Sequence, residues 1–207
     1  MSADDARRRF TDAARHLLAP LPHGVEVRAC TADEWSKHAD AWWNQLDRPA
    51  LDLLRLHTDD ERAAIKDLDD AFGPPMEHRV VFTHEGTPVG AYWGQQERQG
   101  RYYMVNTIFD PAWRGRGLYR AFLPRVEAAA KETGFREMYS RHRADNNAVI
   151  VPKLRAGWSI AAFEVAPKFG LLVHLRKYLH DGFARAFGYR VDGGHAQALR
   201  DLGLAIP

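Results

Sequence analysis

The sequence predicts an α/β (α+β) domain built on a mixed central sheet of about seven strands flanked by helices. Three observations carry this expectation. Apolar spacing changes from a helical period to a strand period at His78. Two tight turns, at His84-Glu85-Gly86-Thr87-Pro88 and at Arg98-Gln99-Gly100, join three strands into an antiparallel meander. A glycine-rich segment then leads from the third of these strands into a helix, and another strand follows. A crossover of that kind makes the two strands parallel.

The elements follow in order. Ala6, Phe10, Ala13, Ala14, Leu17 and Leu18 stand at helical spacing, so a helix is expected over residues 3–19, ended by Pro20 and Pro22. Its apolar stripe suits packing on the domain, or on a partner subunit in a homodimer, better than a membrane surface. Val25 to Arg28 reads as the first strand. Thr31-Ala32-Asp33-Glu34 and Thr58-Asp59-Asp60-Glu61 are capping-box patterns that start two helices. Asp47-Arg48-Pro49 ends the first of them, Leu51 to Leu56 forms a short helix between them, and Gly73-Pro74-Pro75 stops the second. Strands are expected at Arg79–Thr83, Val89–Gln95, Tyr102–Phe109, Phe135–His142, Trp158–Val165 and Leu171–Leu179. Helices are expected at Leu118–Glu132, ended by Gly134, and from an N-cap offered by Ala144-Asp145-Asn146-Asn147 to about Arg155. Pro152 removes a hydrogen bond inside the latter and should kink it. Asp181–Phe187 and His195–Leu202 complete the chain. The expected division is a helical extension at 1–22, a main domain at 23–180 and a helical tail at 181–207.

Composition narrows the function classes. Twenty-nine Lys and Arg against 27 Asp and Glu leave a formal net charge of only +2. That is no electrostatic footprint for nucleic acid. A single cysteine, Cys30, permits no internal disulfide and no zinc cluster, and no metal is expected. There is no apolar run long enough for a membrane span and no apolar signal core near the N-terminus. A cytoplasmic protein is the expectation.

The chemistry is concentrated at Phe109-Asp110-Pro111-Ala112-Trp113-Arg114-Gly115-Arg116-Gly117-Leu118-Tyr119. Gly115 and Gly117 let the backbone curl so that several amides point to one place at a helix N-terminus, which attracts an anion. Arg114 and Arg116 add positive charge there. The ligand class is phosphate or pyrophosphate. A P-loop needs Lys-Ser/Thr where Leu118-Tyr119 stand, and a Rossmann fingerprint needs a third glycine and an early parallel βαβ unit.

Arg114 to Tyr119 resembles a third template, the acyl-CoA loop R/Q-x-x-G-x-G/A of the GNAT N-acetyltransferase superfamily, with Tyr119 where a small residue is commoner. The order of elements from Val25 to Leu179 is similar to that family's. So are Asn146-Asn147 after the fifth strand and Gly157-Trp158 after the next helix. The resemblance implies a GNAT-like acyl-CoA N-acyltransferase fold with acetyl-CoA, or another acyl-CoA, as co-substrate. It implies that Thr107, Ile108 and Phe109 offer main-chain groups to the pantetheine arm where the fourth and fifth strands splay. It further implies that Arg114, Gly115, Arg116, Gly117, Leu118 and Tyr119 hold the pyrophosphate and that Asn146 reaches the pantetheine or acyl end. The acceptor is then a primary amine of a small molecule or peptide, attacked directly in a ternary complex.

Such a transfer needs a base for the amine and a proton for the departing thiolate. In many family members a Tyr one turn before the Gly-Phe supplies that proton; Lys153 stands there in this sequence. Strand alternation puts Met138, Ser140 and His142 on one face of the fifth strand, with Tyr139, Arg141 and Arg143 on the other. His142, Ser140 and Tyr139 are the candidate catalytic residues, and Tyr119 is a further candidate acid. Glu97, Asp145 and Glu164 are candidate bases. Trp35, Trp42, Trp43, Tyr92, Trp93 and Tyr103 gather where an acceptor would enter, with His174 and Lys177 on the last strand. The rival expectation is an acyl-CoA-sensing or protein-binding module that has lost catalysis, and Lys153 is the feature that favours it.

Overall fold

Ser2 and Asp5 close a reciprocal capping box that starts α1, Ala3–Ala13. In the computed structural model, which describes residues 2–43, 56–71 and 73–205, this helix is shorter than its apolar spacing suggests. The chain tightens into a 3₁₀ turn at Ala14–His16 ahead of the two prolines. The tightening still buries Leu17 completely. α2 spans Ala32–Trp43, and α3, Asp59–Asp70, begins at the expected capping box between Thr58 and Glu61. The break at 47–49 and the short helix expected over 51–56 lie, Leu56 apart, outside the described residues.

Seven strands follow the expected order. They are β1 Glu26–Ala29, β2 Glu77–His84, β3 Thr87–Glu97, β4 Arg101–Phe109, β5 Glu137–Arg143, β6 Ser159–Ala166 and β7 Gly170–Tyr178. They form one sheet in the order β1-β2-β3-β4-β5-β7-β6. Among the described residues the only parallel pairing is between β4 and β5, joined by the α4 crossover, Leu118–Thr133. α5, Asn147–Arg155, runs on through Pro152. α6, Asp181–Asp192, extends beyond its expected end to Gly193, which takes the left-handed conformation, and α7 covers Ala196–Asp201.

Two apolar layers sandwich the sheet. On one face Phe10, Ala13 and Leu17 from the N-terminal segment pack with Phe122, Leu123 and Val126 of α4 and with Met138 of β5. The N-terminal helix is thus part of the main core. On the other face Trp35, Ala39 and Trp42 of α2 pack on Val81, Ala91 and Ile108.

One irregularity positions the site. β4 and β5 pair only from Arg101↔Glu137 to Tyr103↔Tyr139. Immediately afterwards β4 bulges: Gly94 pairs with Met104 and Trp93 with Asn106, which leaves Val105 as the extra residue. A bulge bends its strand and raises the local twist. From Met104 onward one edge of β4 has no neighbouring strand among the described residues, while β5 continues to Arg143 beside β7. The expected splay is present, and it opens a wedge in the middle of the sheet.

Candidate active site

The loop between β4 and α4 is built to leave amides free. The Asp110 carboxylate accepts from the Ala112 N–H and pins a 3₁₀ turn at Pro111–Trp113. Gly115 and Gly117 then take φ values of 73° and 77°, and Gly117 forms the left-handed N-cap of α4. No Cβ could be added at either without backbone strain, although space around both is open. The amides from Gly115 to Arg120 have no hydrogen-bond partner among the described residues. The first turn of α4 holds no acidic residue. Arg114 and Arg116 are exposed, with Arg114 Nε donating to the Phe109 carbonyl at 3.0 Å and Arg116 lying 4.6 Å over the Trp113 ring. Free amides, a dipole end and three exposed arginines, including Arg120, fit a pyrophosphate.

A cleft of about 950 Å³ runs through the wedge. Thr107, Ile108, Tyr119 and Asn146 line it. Phe109 and Arg114 to Leu118 lie outside its lining, in chain continuity with Ile108 and Tyr119. The Phe109 ring stacks on Phe82, and the Leu118 side chain is buried in the core, so each has only backbone to offer a ligand. Asn146 occupies the N-cap position of α5, yet its side chain makes no capping bond.

At this cleft the chain buries an amine. Lys153 has no exposed surface, although it belongs to the cleft lining, and it has no ion pair among the described residues. Its Nζ lies 2.5 Å from Ser140 Oγ, 3.5 Å from Met104 Sδ and 4.0 Å from the centroid of the Trp158 ring. On the other side of Ser140, His142 Nε2 is 2.9 Å from the same Oγ. Burial drives the Lys153 ammonium well below its ordinary range, opposed by the charge of Glu127. Burial also lowers His142, and the nearby Lys153 adds to the shift. Both nitrogens therefore favour their neutral forms. Glu127 is held by Lys177 Nζ at 2.6 Å and by the Trp158 indole N–H at 2.8 Å.

The other candidates are placed elsewhere. Tyr139 projects from the opposite face of β5, stacks on Tyr103 at 4.6 Å and donates to Glu97, so it does not join Ser140 and His142. Asp145 does line the cleft, but it is paired with Arg143 at 2.7 Å; Glu164 sits 2.6 Å from His174 Nε2, outside the lining. Lys177 faces Glu127 and the Ala156 carbonyl and does not line the cleft. Tyr92 is fully buried, and Trp42 packs in the α2 layer while donating to Asp110. Trp35, Trp93 and Tyr103 do line the cleft on the α2 side, with Ala39 and Asp40 beside them. The Trp35 indole N–H is buried without a partner among the described residues.

A model of the acetyltransferase (GNAT) family matches residues 38–150. The chain belongs to the GNAT acetyltransferase family. No curated protein matches the sequence. Among solved structures, YncA from Salmonella typhimurium with its cofactor acetyl-CoA is 21% identical at a TM-score of 0.54, over 75% of this chain and 94% of that one. An N-acetyltransferase from Staphylococcus aureus Mu50 is 20% identical at 0.52, over 75% and 98%. The ribosomal-protein-S18-alanine N-acetyltransferase from Escherichia coli is 14% identical at 0.53, over 75% and 94%. At these identities the likeness is one of fold, and it is the GNAT fold, a mixed seven-stranded sheet flanked by helices.

Lys153 was visible in the sequence only as the residue standing where Tyr is usual. Of its surroundings, Trp158 stood out only as part of the Gly157-Trp158 pair, and Met104 and Glu127 carry no sequence signal, because each comes from a different element.

Proposed function

We propose that this protein is an acetyl-CoA-dependent N-acetyltransferase that moves an acetyl or short acyl group to a primary amine of a small molecule or peptide. The observation that carries the reading is the wedge between β4 and β5, where the free strand edge and a buried amine line one cleft and the amides of the α4 loop adjoin it through Tyr119. The amides from Gly115 to Tyr119, with Arg114 and Arg116, would hold the pyrophosphate. The open edge of β4 from Thr107 to Phe109 would hold the pantetheine, with Asn146 opposite. Bound acyl-CoA supplies an activated thioester. The chain's own residues hold it in the wedge, keep its reacting end dry and exchange protons with it.

Aromatic walls at Trp35, Trp93 and Tyr103 suit an amine carried on a flat or apolar body. The unpartnered Trp35 N–H offers such an acceptor one hydrogen bond, and the exposed Asp40 carboxylate attracts its ammonium before deprotonation. Attack is direct: Cys30 lies at the end of β1 outside the cleft, and burial raises its thiol to about 11, so it is no acyl carrier.

Measuring CoA release from acetyl-CoA against a panel of amines, peptides and aminoglycosides tests the reading. Turnover with at least one primary amine is expected. Tight acetyl-CoA binding without turnover on any acceptor would favour the sensing module.

A further inference from the structure

The Lys153–Ser140–His142 chain reaches the cleft at both ends and not in the middle. Lys153 and His142 belong to its lining, and Ser140, fully buried, does not. A hydroxyl between two nitrogens can be ordered in two directions. In one, His142 Nε2–H donates to Ser140 and Ser140 donates to the Lys153 lone pair. In the other, Lys153 donates to Ser140 and Ser140 donates to His142. Nothing in the network prefers one direction by geometry, because each nitrogen can donate or accept when neutral. Passing from the first order to the second takes a proton in at His142 and gives one out at Lys153, with no charge left on a buried group.

We propose that Lys153, Ser140 and His142 form a single proton relay that joins the base and the acid of the transfer. The inference rests on the acyl-transfer reading above. As the acceptor nitrogen bonds to the acyl carbon, His142 Nδ1 takes its proton. His142 Nε2–H passes to Ser140, the Ser140 hydroxyl proton passes to Lys153, and a Lys153 N–H proton goes to the sulfur. The carbon–sulfur bond breaks, with its electron pair leaving on sulfur. One N–C bond forms, one C–S bond breaks, and one proton has moved from nitrogen to sulfur.

The surroundings favour this direction. Met104 and Trp158 keep water from the Lys153 amine, while His142 is half-buried and exchanges protons more readily. The charge that acts on the amine is that of Glu127 on α4, which is paired with Lys177 on β7 at 2.6 Å. The lowered proton affinity of both end nitrogens agrees with a relay of neutral groups.

The test uses the full chain and single-turnover release of CoA from acetyl-CoA, with an amine from the panel or, where none is taken, with water as the slow acceptor. Ser140→Ala, Lys153→Met and the double variant are compared, and acetyl-CoA affinity is read separately by calorimetry. Each single variant is expected to slow release about a hundredfold with affinity within twofold of native. The double variant should be no slower than either single one, because members of one relay act as a unit. Release by the native protein in H2O/D2O mixtures should show a curved proton inventory that becomes linear in Ser140→Ala. Independent losses that multiply, a native rate in Ser140→Ala, or a linear inventory in the native protein would overturn the relay. Acetyl-CoA binding with no release at all, even by water, would overturn it too. A failure of acetyl-CoA to bind would instead strike the acyl-transfer reading on which the relay stands.

Discussion

The molecule buries two histidine–hydroxyl networks, and they are built differently. On the α1 side His78 is 6% exposed and its ring stacks on Phe10 at 3.8 Å. The Phe10 carbonyl can only accept, so His78 Nε2–H donates to it, at 3.1 Å. His78 Nδ1 must then accept from the Tyr102 hydroxyl at 3.0 Å, which in turn accepts from the Tyr92 hydroxyl at 2.9 Å. Every polarity in that chain is frozen by one carbonyl. At the cleft, His142, Ser140 and Lys153 end in two nitrogens and no carbonyl, so the order is reversible. Burial lowers both histidines, His78 to about 4. A depressed histidine therefore does not distinguish a structural pin from a chemical relay. What distinguishes them is whether a proton can leave the far end: both ends of the His142–Lys153 network line the cleft, whereas the His78 network ends on the Phe10 carbonyl.

The contrast is sharpened most by pH. His78 takes up its proton near pH 4 when folded and near 6.5 when unfolded, so the unfolded chain binds protons first as pH falls. Its share of stability is whole above about 6.5 and is lost progressively down to about 4, amounting to about 3 kcal/mol. Denaturant titrations of native protein and His78→Gln across that window should show the acid-induced loss shrinking by that amount in the variant. An unchanged loss would mean that His78 is not the pin. Next in size is Gly94→Ala. A Cβ there would collide with the Tyr92 and Tyr102 hydroxyls, both on fully buried side chains. The expected cost is about 2 kcal/mol of stability, with acetyl-CoA affinity retained. A thermal midpoint equal to native would show that the tyrosine pair has room to shift. On activity, His142→Ala should behave as the third member of the relay and lower turnover about a hundredfold while changing acetyl-CoA affinity less. An unaltered rate would make His142 a second structural histidine.

Much of this was legible in the sequence. Strand alternation placed Ser140 and His142 on one face of β5 and Tyr139 on the other, since period-2 geometry is local. The same parity explains why Tyr139 is absent from the network. The glycine loop was legible because positive φ leaves glycine as its mark at Gly115 and Gly117. The nature of Lys153 was not. Lysine is rarely buried without a partner, so its type suggests the surface. Only the meeting of β4, β5 and α5 with Trp158 turns it into a dry amine. The bulge at Val105 that opens the wedge was equally silent, because a bulge depends on the partner strand's register. The premature end of α1 reflects a tighter turn that still buries Phe10, Ala13 and Leu17 but leaves Leu18 exposed, which apolar spacing alone does not separate from an α-helix.

The most direct test is calorimetric titration of acetyl-CoA into native protein and Gly117→Glu. Gly117 needs φ near 77° and sits among unpartnered amides, where a glutamate adds strain and a competing anion. Binding to the native chain is expected, with a loss of at least about a hundredfold in the variant and little change in its thermal midpoint. Equal affinity in the two proteins would remove the loop from the site and contradict the assignment of this cleft to acyl-CoA.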